Sequence, residues 1–190
     1  MKKLILVSIL GIFSIHMFSQ PLANLPAQPK TEAVKWYTID EALKLNKQKP
    51  KKILIDVYTD WCGWCKKMDR DVYTHPIIAK YLNENFYTVK FNAETTDTVV
   101  FNDRKFINEN KGNRSPHQFA LALLQGQMSY PSVVYLSEKL EYIFAIPGYK
   151  TPDQLEVILN YVAQNKFRPI TIEDFQKTFT GQIKPEPIGQ

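Results

Sequence analysis

Two cysteines separated by two residues, in the run Trp61-Cys62-Gly63-Trp64-Cys65, are the side chains best suited to chemistry in this sequence. An apolar, β-branched run at 53–58 comes just before them and predicts a buried strand, and a helix is predicted to begin near Cys62. Free amides and the helix dipole favour negative charge at a helix N-terminus, so a cysteine thiolate there is stabilised and its pKa is lowered. Cys62 is therefore predicted to attack disulfides, and Cys65, one turn deeper, to resolve the mixed disulfide.

Three other uses of such a pair fit this sequence less well. A structural disulfide across so short a loop would stabilise little, because the loop entropy that it removes grows with loop size. Covalent haem attachment needs a histidine after the second cysteine, where this chain has Lys66. A zinc site needs four ligands, and the two histidines beyond residue 20, His75 and His117, show no zinc-finger spacing. A redox-active pair without a metal is therefore the favoured interpretation.

The elements that must position the pair follow from periodicity and from capping signals. Alternating strands and helices indicate an α/β fold, with a central sheet and helices on both faces. Helix starts are predicted at a capping box of Thr38 and Glu41, at Thr74, at Ser115 and at Thr171. The predicted strands are 34–37, 53–58, 86–92, 132–136 and 141–146, and the predicted helices are 38–47, 62 onward with a break at 68–72, 74 onward, 115–125, 152–164 and 172–179.

Residues 93–130 are a long excursion between two predicted strands. The turn-prone pair Asn102-Asp103 lies between segments 98–101 and 105–108 and predicts a hairpin, which the helix 115–125 follows. Such an excursion either selects partners or covers a sheet edge. The structural role is the favoured interpretation, because edge covering is the commoner need.

The first 20 residues have the pattern of a secretory signal peptide. Lys2 and Lys3 precede a mostly apolar, uncharged run at 4–18, and Ser19 is a small residue near a plausible cleavage site. The run is shorter than the ~20 residues that a membrane-spanning helix needs. Cleavage would release a protein without stable membrane insertion into a compartment where disulfides form. Residues 21–33 are predicted to be a linker, and 169–190 a C-terminal extension whose last ten residues are frayed.

Composition limits the remaining possibilities. The chain has 190 residues, the length of one domain with extensions or at most two small ones, and its 44% hydrophobic and 23% charged residues fit a proper core. Residues 21–190 carry 22 Lys and Arg against 19 Asp and Glu, a net charge of +3 without a basic cluster. This small excess argues against a nucleic-acid partner.

With the cysteine pair in this setting, the chain resembles the thioredoxin family. The likeness is carried by residues 53–66, by 89–92, by 130–134 and by Pro147-Gly148, in the family's order, and the thioredoxin-like domain is placed at 34–168. Trp64, where cytosolic thioredoxins have proline, is similar to exported bacterial members. The resemblance implies a thioredoxin fold with a central mixed β-sheet, helices on both faces and a hairpin-plus-helix insertion before a cis-proline.

The resemblance also implies roles for individual residues. Asp56 matches the buried carboxylate that assists proton transfer at Cys65, and Lys90 matches the lysine beside it. Pro131 matches the cis-proline that lies against the cysteine pair. The residues expected to line the substrate groove are Trp61, Gly63, Trp64, Tyr130 and Pro131.

The function that the resemblance implies is thiol–disulfide oxidoreduction, of the reductase or isomerase type. The expected substrates are cysteine-containing proteins in the periplasm or outside the cell, with a redox partner protein supplying or accepting electrons. No cofactor is expected beyond the Cys62–Cys65 disulfide, and the chain is expected to be a monomer. A non-catalytic peptide-binding or chaperone-like module that uses the same groove is the alternative.

Overall fold

A computed structural model describes residues 32–185 of the chain. The predicted signal peptide at 1–20, most of the predicted linker and residues 186–190 lie outside the described part. The described strands are β1 (Trp36–Tyr37), β2 (Lys52–Tyr58), β3 (Phe86–Asn92), β4 (Val99–Phe101), β5 (Arg104–Phe106), β6 (Ser132–Leu136) and β7 (Tyr142–Pro147). The described helices are α1 (Ile39–Gln48), α2 (Gly63–Asp71), α3 (Pro76–Asn85), α4 (Gln118–Leu123), α5 (Pro152–Ala163) and α6 (Ile172–Thr178).

The central sheet has five strands in the order β1-β3-β2-β6-β7. Strands β1, β3 and β2 run parallel, whereas β6 and β7 join antiparallel, so the sheet is mixed, as predicted. Strand β2 lies in the middle and is buried on both faces, which explains why it is a nearly continuous apolar run. The cysteine pair follows its end, so the central strand of the sheet leads into the site.

Helices cover both faces of the sheet, because side chains along a strand alternate between faces. Leu54 and Phe86 pack on the first face with α2, α3, α5 and α6. Ile55 and Val57 pack on the second face with α1, the β4–β5 hairpin and α4. The predicted layered α/β architecture is therefore confirmed.

The helix starts match the predictions at two of four positions. Thr38 and Glu41 form the predicted capping box, and the Thr171 side chain accepts the amide hydrogen of Asp174 at the start of α6. The prediction for Thr74 is wrong, because its hydroxyl donates to the carbonyl of Arg70 and His75 takes the cap position. The predicted start at Ser115 is also wrong, because α4 begins after His117, whose Nδ1 accepts the Phe119 amide hydrogen.

The excursion at 93–130 contains the predicted hairpin, β4–β5, with Asn102 and Asp103 both at positive φ in its turn. The excursion packs on a face of the sheet, which goes beyond the expected cover of an edge. Phe106 of the hairpin and Phe119 of α4 pack on the second face of the sheet, whereas the edge strands are β1 and β7. The excursion is therefore one of the layers of the core.

The C-terminal extension also belongs to the core. Phe175 of α6 is buried against α5, and Ile183 packs beside it. Glu156 of α5 is buried, and its carboxylate accepts the backbone amide hydrogens of Gln182 and Ile183 at 2.8 and 2.9 Å. The start of the segment expected to fray is thus tied to the domain.

Candidate active site

Cys62 and Cys65 form a disulfide at the start of α2. Strand β2 ends at Tyr58, and a turn closed by the Cys62 amide donating to the Thr59 carbonyl leads into the helix. Cys62 is the N-cap residue, and the backbone amide of Cys65 donates to its Sγ atom at 3.0 Å. The free amide of a helix start therefore points at the Cys62 sulfur, where a thiolate would carry its charge.

The loop before β6, which contains Pro131, lies beside this helix start. The Tyr130–Pro131 peptide bond is cis, as the resemblance implies. The carbonyl of Pro131 accepts the Gly148 amide hydrogen at 2.7 Å, which ties the loop to the end of β7. Tyr130 lies edge-on to Trp61, with ring centroids 5.9 Å apart, so the proline loop and the cysteine turn share one rim.

Two exposed indoles flank the disulfide. Trp61 is 48% exposed and Trp64 is 59% exposed. The Trp64 ring packs against the Tyr149 ring, with centroids 5.4 Å apart. Gly63 between them is exposed, and an added Cβ there would meet no atom within 4 Å. Of the five predicted groove residues, Trp61, Gly63 and Trp64 are exposed beside the disulfide and Tyr130 contacts Trp61, whereas Pro131 is buried. The structure gives no internal reason for glycine at 63.

Trp61 also contacts two charged residues of the excursion. Its indole Nε1–H donates to the Glu94 carboxylate at 2.9 Å. The Arg114 guanidinium lies over its ring, 4.4 Å from the centroid. Burial, with the charge of Glu94 as a smaller cause, raises the pKa of Tyr130 to about 12, so this phenol is neutral over the physiological range.

Asp56 and Lys90 occupy directly paired positions of the parallel strands β2 and β3. Asp56 alternates with Ile55 and Val57, so it projects to the face that packs against α2, the helix carrying Cys65. Lys90 Nζ donates to Asp56 Oδ2 at 2.6 Å and also bonds to Asp69 of α2. Asp56 is only 1% exposed, and its other oxygen, Oδ1, has no hydrogen-bond partner among residues 32–185.

The charges of this cluster are coupled. Burial raises the pKa of Asp56, and the attraction of Lys90 offsets that only in part. Burial alone would lower the pKa of Lys90, but Asp56 and Asp69 outweigh it and raise the pKa above its usual value. Lys90 also borders two open surface cavities of about 630 and 440 Å³, so the buried carboxylate reaches solvent through its lysine.

The lysines after the pair contribute unequally to the local charge. Lys66 is exposed, whereas Lys67 is bound to Asp71 at 2.6 Å and lies over the Tyr149 ring. The hydrogen bonds from Arg70 and Lys67 lower the pKa of Asp71 to about 2. Positive potential from these two lysines therefore comes mainly from Lys66.

Neither histidine in the described part contacts the disulfide in any interaction that the structure defines. His117 caps α4 and His75 caps α3. Within residues 32–185, no three His, Cys, Asp or Glu side chains come together where they could hold a metal ion.

Sequence reasoning missed four contributors to the site: Asp69, Glu94, Arg114 and Tyr149. Asp69 had a usable signal, because it lies four residues after Cys65 and so shares its helix face. Arg114 and Glu94 reach Trp61 only through the folding of the excursion, and no local pattern marks them.

Comparison with known proteins agrees with this geometry. Residues 39–163 match the family described as "Thioredoxin-like domain". No curated protein matches the sequence. Three similar solved structures are a thioredoxin-fold protein from Helicobacter pylori, a protein described as DsbH oxidoreductase and a thioredoxin from Thermus thermophilus.

The three structures share the fold at low sequence identity. The Helicobacter protein is 19% identical, with 67% of this chain and 79% of that one covered and a TM-score of 0.52. The DsbH protein is 16% identical, with 77% and 94% covered and a TM-score of 0.51. The Thermus protein is 16% identical, with 69% and 88% covered and a TM-score of 0.52. With its family match over most of the domain, its mixed sheet and its disulfide at a helix start, the chain belongs to the thioredoxin-like domain family.

Proposed function

We propose that this protein is a thiol–disulfide oxidoreductase that exchanges disulfides with exported proteins. The observation that carries the proposal is the Cys62 sulfur, which accepts the Cys65 amide hydrogen at an N-cap. This sulfur lies on a rim shared with the cis-Pro131 loop through the contact of Trp61 with Tyr130. An arrangement of this kind stabilises a thiolate at the place where an extended polypeptide can dock.

In the direction of reduction, the Cys62 thiolate attacks one sulfur of a substrate disulfide. A mixed disulfide forms, and the other substrate sulfur leaves as a thiolate that takes a proton from solvent. The thiol of Cys65 then loses its proton and attacks Cys62 Sγ, which releases the second substrate thiol and forms the Cys62–Cys65 disulfide. Two electrons pass from the dithiol to the substrate, so the disulfide itself is the redox group and the reaction needs no further cofactor.

Asp56 is proposed to accept the Cys65 proton. Its buried Oδ1 has no hydrogen-bond partner in the described part of the chain, and its raised pKa brings it closer to that of a thiol. Lys90 holds the carboxylate through Oδ2 and connects it to the two surface cavities. This lysine is a positioning residue and a path to solvent.

The experiment is mixed-disulfide trapping with an unfolded, disulfide-containing protein such as insulin. Cys65→Ser should accumulate a covalent adduct that dithiothreitol releases, Cys62→Ser should accumulate none, and both should lose reductase turnover. Trapping by Cys62→Ser alone would reverse the roles of the two cysteines. Equal turnover by the wild type and both variants would leave the non-catalytic peptide-binding module as the function.

Export is proposed from the sequence of residues 1–20, and no helix of residues 32–185 is long and apolar enough to span a membrane. Fractionation of cells that express the full chain tests it, with the mature protein expected outside the cytoplasm and shortened near residue 20. The reduction potential of the Cys62–Cys65 couple decides direction, because a strongly reducing value favours a reductase and an oxidising value a disulfide donor.

A further inference from the structure

We propose that the preferred substrate carries carboxylate side chains beside its reactive cysteine, and that Arg114 selects it. The inference rests on the proposed function, because it names the substrate class of the same groove. The structural basis is a set of cations near the disulfide that form no ion pair within residues 32–185.

Arg114 is exposed, and its guanidinium lies 4.4 Å from the centroid of the Trp61 ring. It makes no ion pair with any carboxylate in the part of the chain that the structure describes. The indole therefore fixes the guanidinium at the rim through a cation–π contact while leaving its N–H groups open to a carboxylate.

The loop that carries Arg114 is anchored to the protein. The buried side chain of Asn108 donates to the carbonyl of Ser115 at 2.8 Å and to those of Glu94 and Thr95 at 3.2 Å. Glu94 is the residue whose carboxylate holds Trp61. One buried amide thus fastens the Arg114 loop to the segment that holds the indole.

Two further cations border the same rim. Lys66 is exposed in the first turn of α2. Lys150 Nζ donates to the carbonyls of Pro147, Gly148 and Tyr149 at 2.7, 3.3 and 3.4 Å, so its N–H groups are engaged and it contributes only its charge. Within residues 32–185 neither lysine has a carboxylate within ion-pair distance.

The carboxylates near Trp61 are already engaged. Glu94 accepts the Trp61 indole hydrogen, and Asp60 accepts from the side-chain amide of Asn92 at 3.1 Å. Neither forms an ion pair with Arg114. A substrate carboxylate bound to Arg114 would form the ion pair that this guanidinium lacks within residues 32–185, and charge complementarity of this kind raises association rates and excludes like-charged partners.

The test uses three synthetic peptides with one internal disulfide, identical except that Glu, Gln or Lys flanks the cysteines. Reduction is followed with dithiothreitol as the electron source. For the wild type at low salt we expect kcat/KM to fall in the order Glu, Gln, Lys, with about a tenfold range. High salt should compress that range, because it screens exposed charges.

Arg114→Gln should lower the ratio of kcat/KM for the Glu peptide to kcat/KM for the Lys peptide. Arg114→Glu should bring that ratio below one. Arg104→Glu is the matched control, because it makes the same charge change in the same excursion, where Arg104 lies over Phe106 instead. Equal kcat/KM for the Glu and Lys peptides in the wild type, or an equal change in Arg104→Glu, would overturn the selection while leaving the exchange activity intact. Absence of exchange with all three peptides would overturn the proposed function, and this inference with it.

Discussion

Lys90 is the residue on which the charge balance of the site depends. Its ammonium bonds to the buried Asp56 and to the half-exposed Asp69, and it lies 5.0 Å from the centroids of both Trp36 and Tyr58. Surrounded in this way, the lysine stays charged at neutral pH. Removal of Asp56 would leave it paired with Asp69, so the cluster can lose its buried acid without stranding a cation.

Asp56→Asn is therefore expected to fold and to be slowed in the resolving step. Without the carboxylate, Cys65 loses its proposed proton acceptor, and we expect turnover to fall by about tenfold or more. Single-turnover kinetics should show the mixed disulfide accumulating, and the rise of the resolving rate with pH through the titration of Asp56 should disappear. At neutral pH the thermal midpoint should stay unchanged or rise, because burial raises the pKa of Asp56 and so makes its ionised form unfavourable in the folded state.

An Asp56→Asn enzyme whose resolving step has the wild-type rate and pH profile would contradict the role of this carboxylate. Asp71→Asn is the matched control, because Asp71 pairs with Lys67 and Arg70 at the surface of α2.

Individual site residues could be predicted from the sequence where they belong to a recognisable motif. Asp56 and Lys90 are identified through the resemblance to the thioredoxin family, and their ion pair is present at 2.6 Å. Arg114 was not found, because its contact with Trp61 spans a loop whose path depends on the buried Asn108 and not on neighbouring residues.

Among the elements, α4 depends on an unusual cap. His117 is fully buried; its Nδ1 accepts the Phe119 amide hydrogen, and its Nε2 lies 2.9 Å from the Asp97 carbonyl. A neutral imidazole satisfies both contacts, since one nitrogen accepts and the other donates. Burial lowers the pKa of His117, and the contact with Asp97 offsets this only in part.

This cap predicts a pH-dependent stability. Because the folded pKa of His117 is below the unfolded value near 6.5, the unfolded chain binds more protons, and the free energy of unfolding should fall as pH drops below about 6.5. His117→Asn keeps an N-cap acceptor without a titrating group, so its stability should fall less between pH 8 and pH 5. Urea unfolding of both proteins across this range measures the difference, and parallel pH profiles would contradict the prediction.

The helix starts show where local signals succeed and fail. Thr38 caps α1 as predicted, because Glu41 is close enough in sequence to complete the capping box. Thr74 and Ser115 have the residue types of caps, yet His75 and His117 occupy the N-cap positions. For α4 the deciding contact is with Asp97, 20 residues away, and a local pattern cannot report it.

Over the whole molecule, the compact fold extends beyond the family match. The match ends at residue 163, whereas α6 adds Phe175 to the core formed with α5. The predicted order of strands and helices is correct because each has a periodic pattern of its own. The role of the extension was not predicted, because a short amphipathic helix does not reveal which surface it covers.

Phe175→Ala should lower the free energy of unfolding by about 3 kcal/mol, the usual cost of emptying a buried phenylalanine site. Phe179→Ala, at a partly buried position of the same segment, should cost less. Urea denaturation monitored by circular dichroism gives both values. Equal losses for the two variants would show that the burial of Phe175 does not set the contribution of α6.

The buried carboxylate of Glu156 accepts the amide hydrogens of Gln182 and Ile183, and so couples α5 to the C-terminal extension. Loss of the extension would remove two amide donors from this carboxylate, and loss of the acid would remove the acceptor of both amides. Neither loss is favourable alone, so descent with modification should conserve or discard the two together.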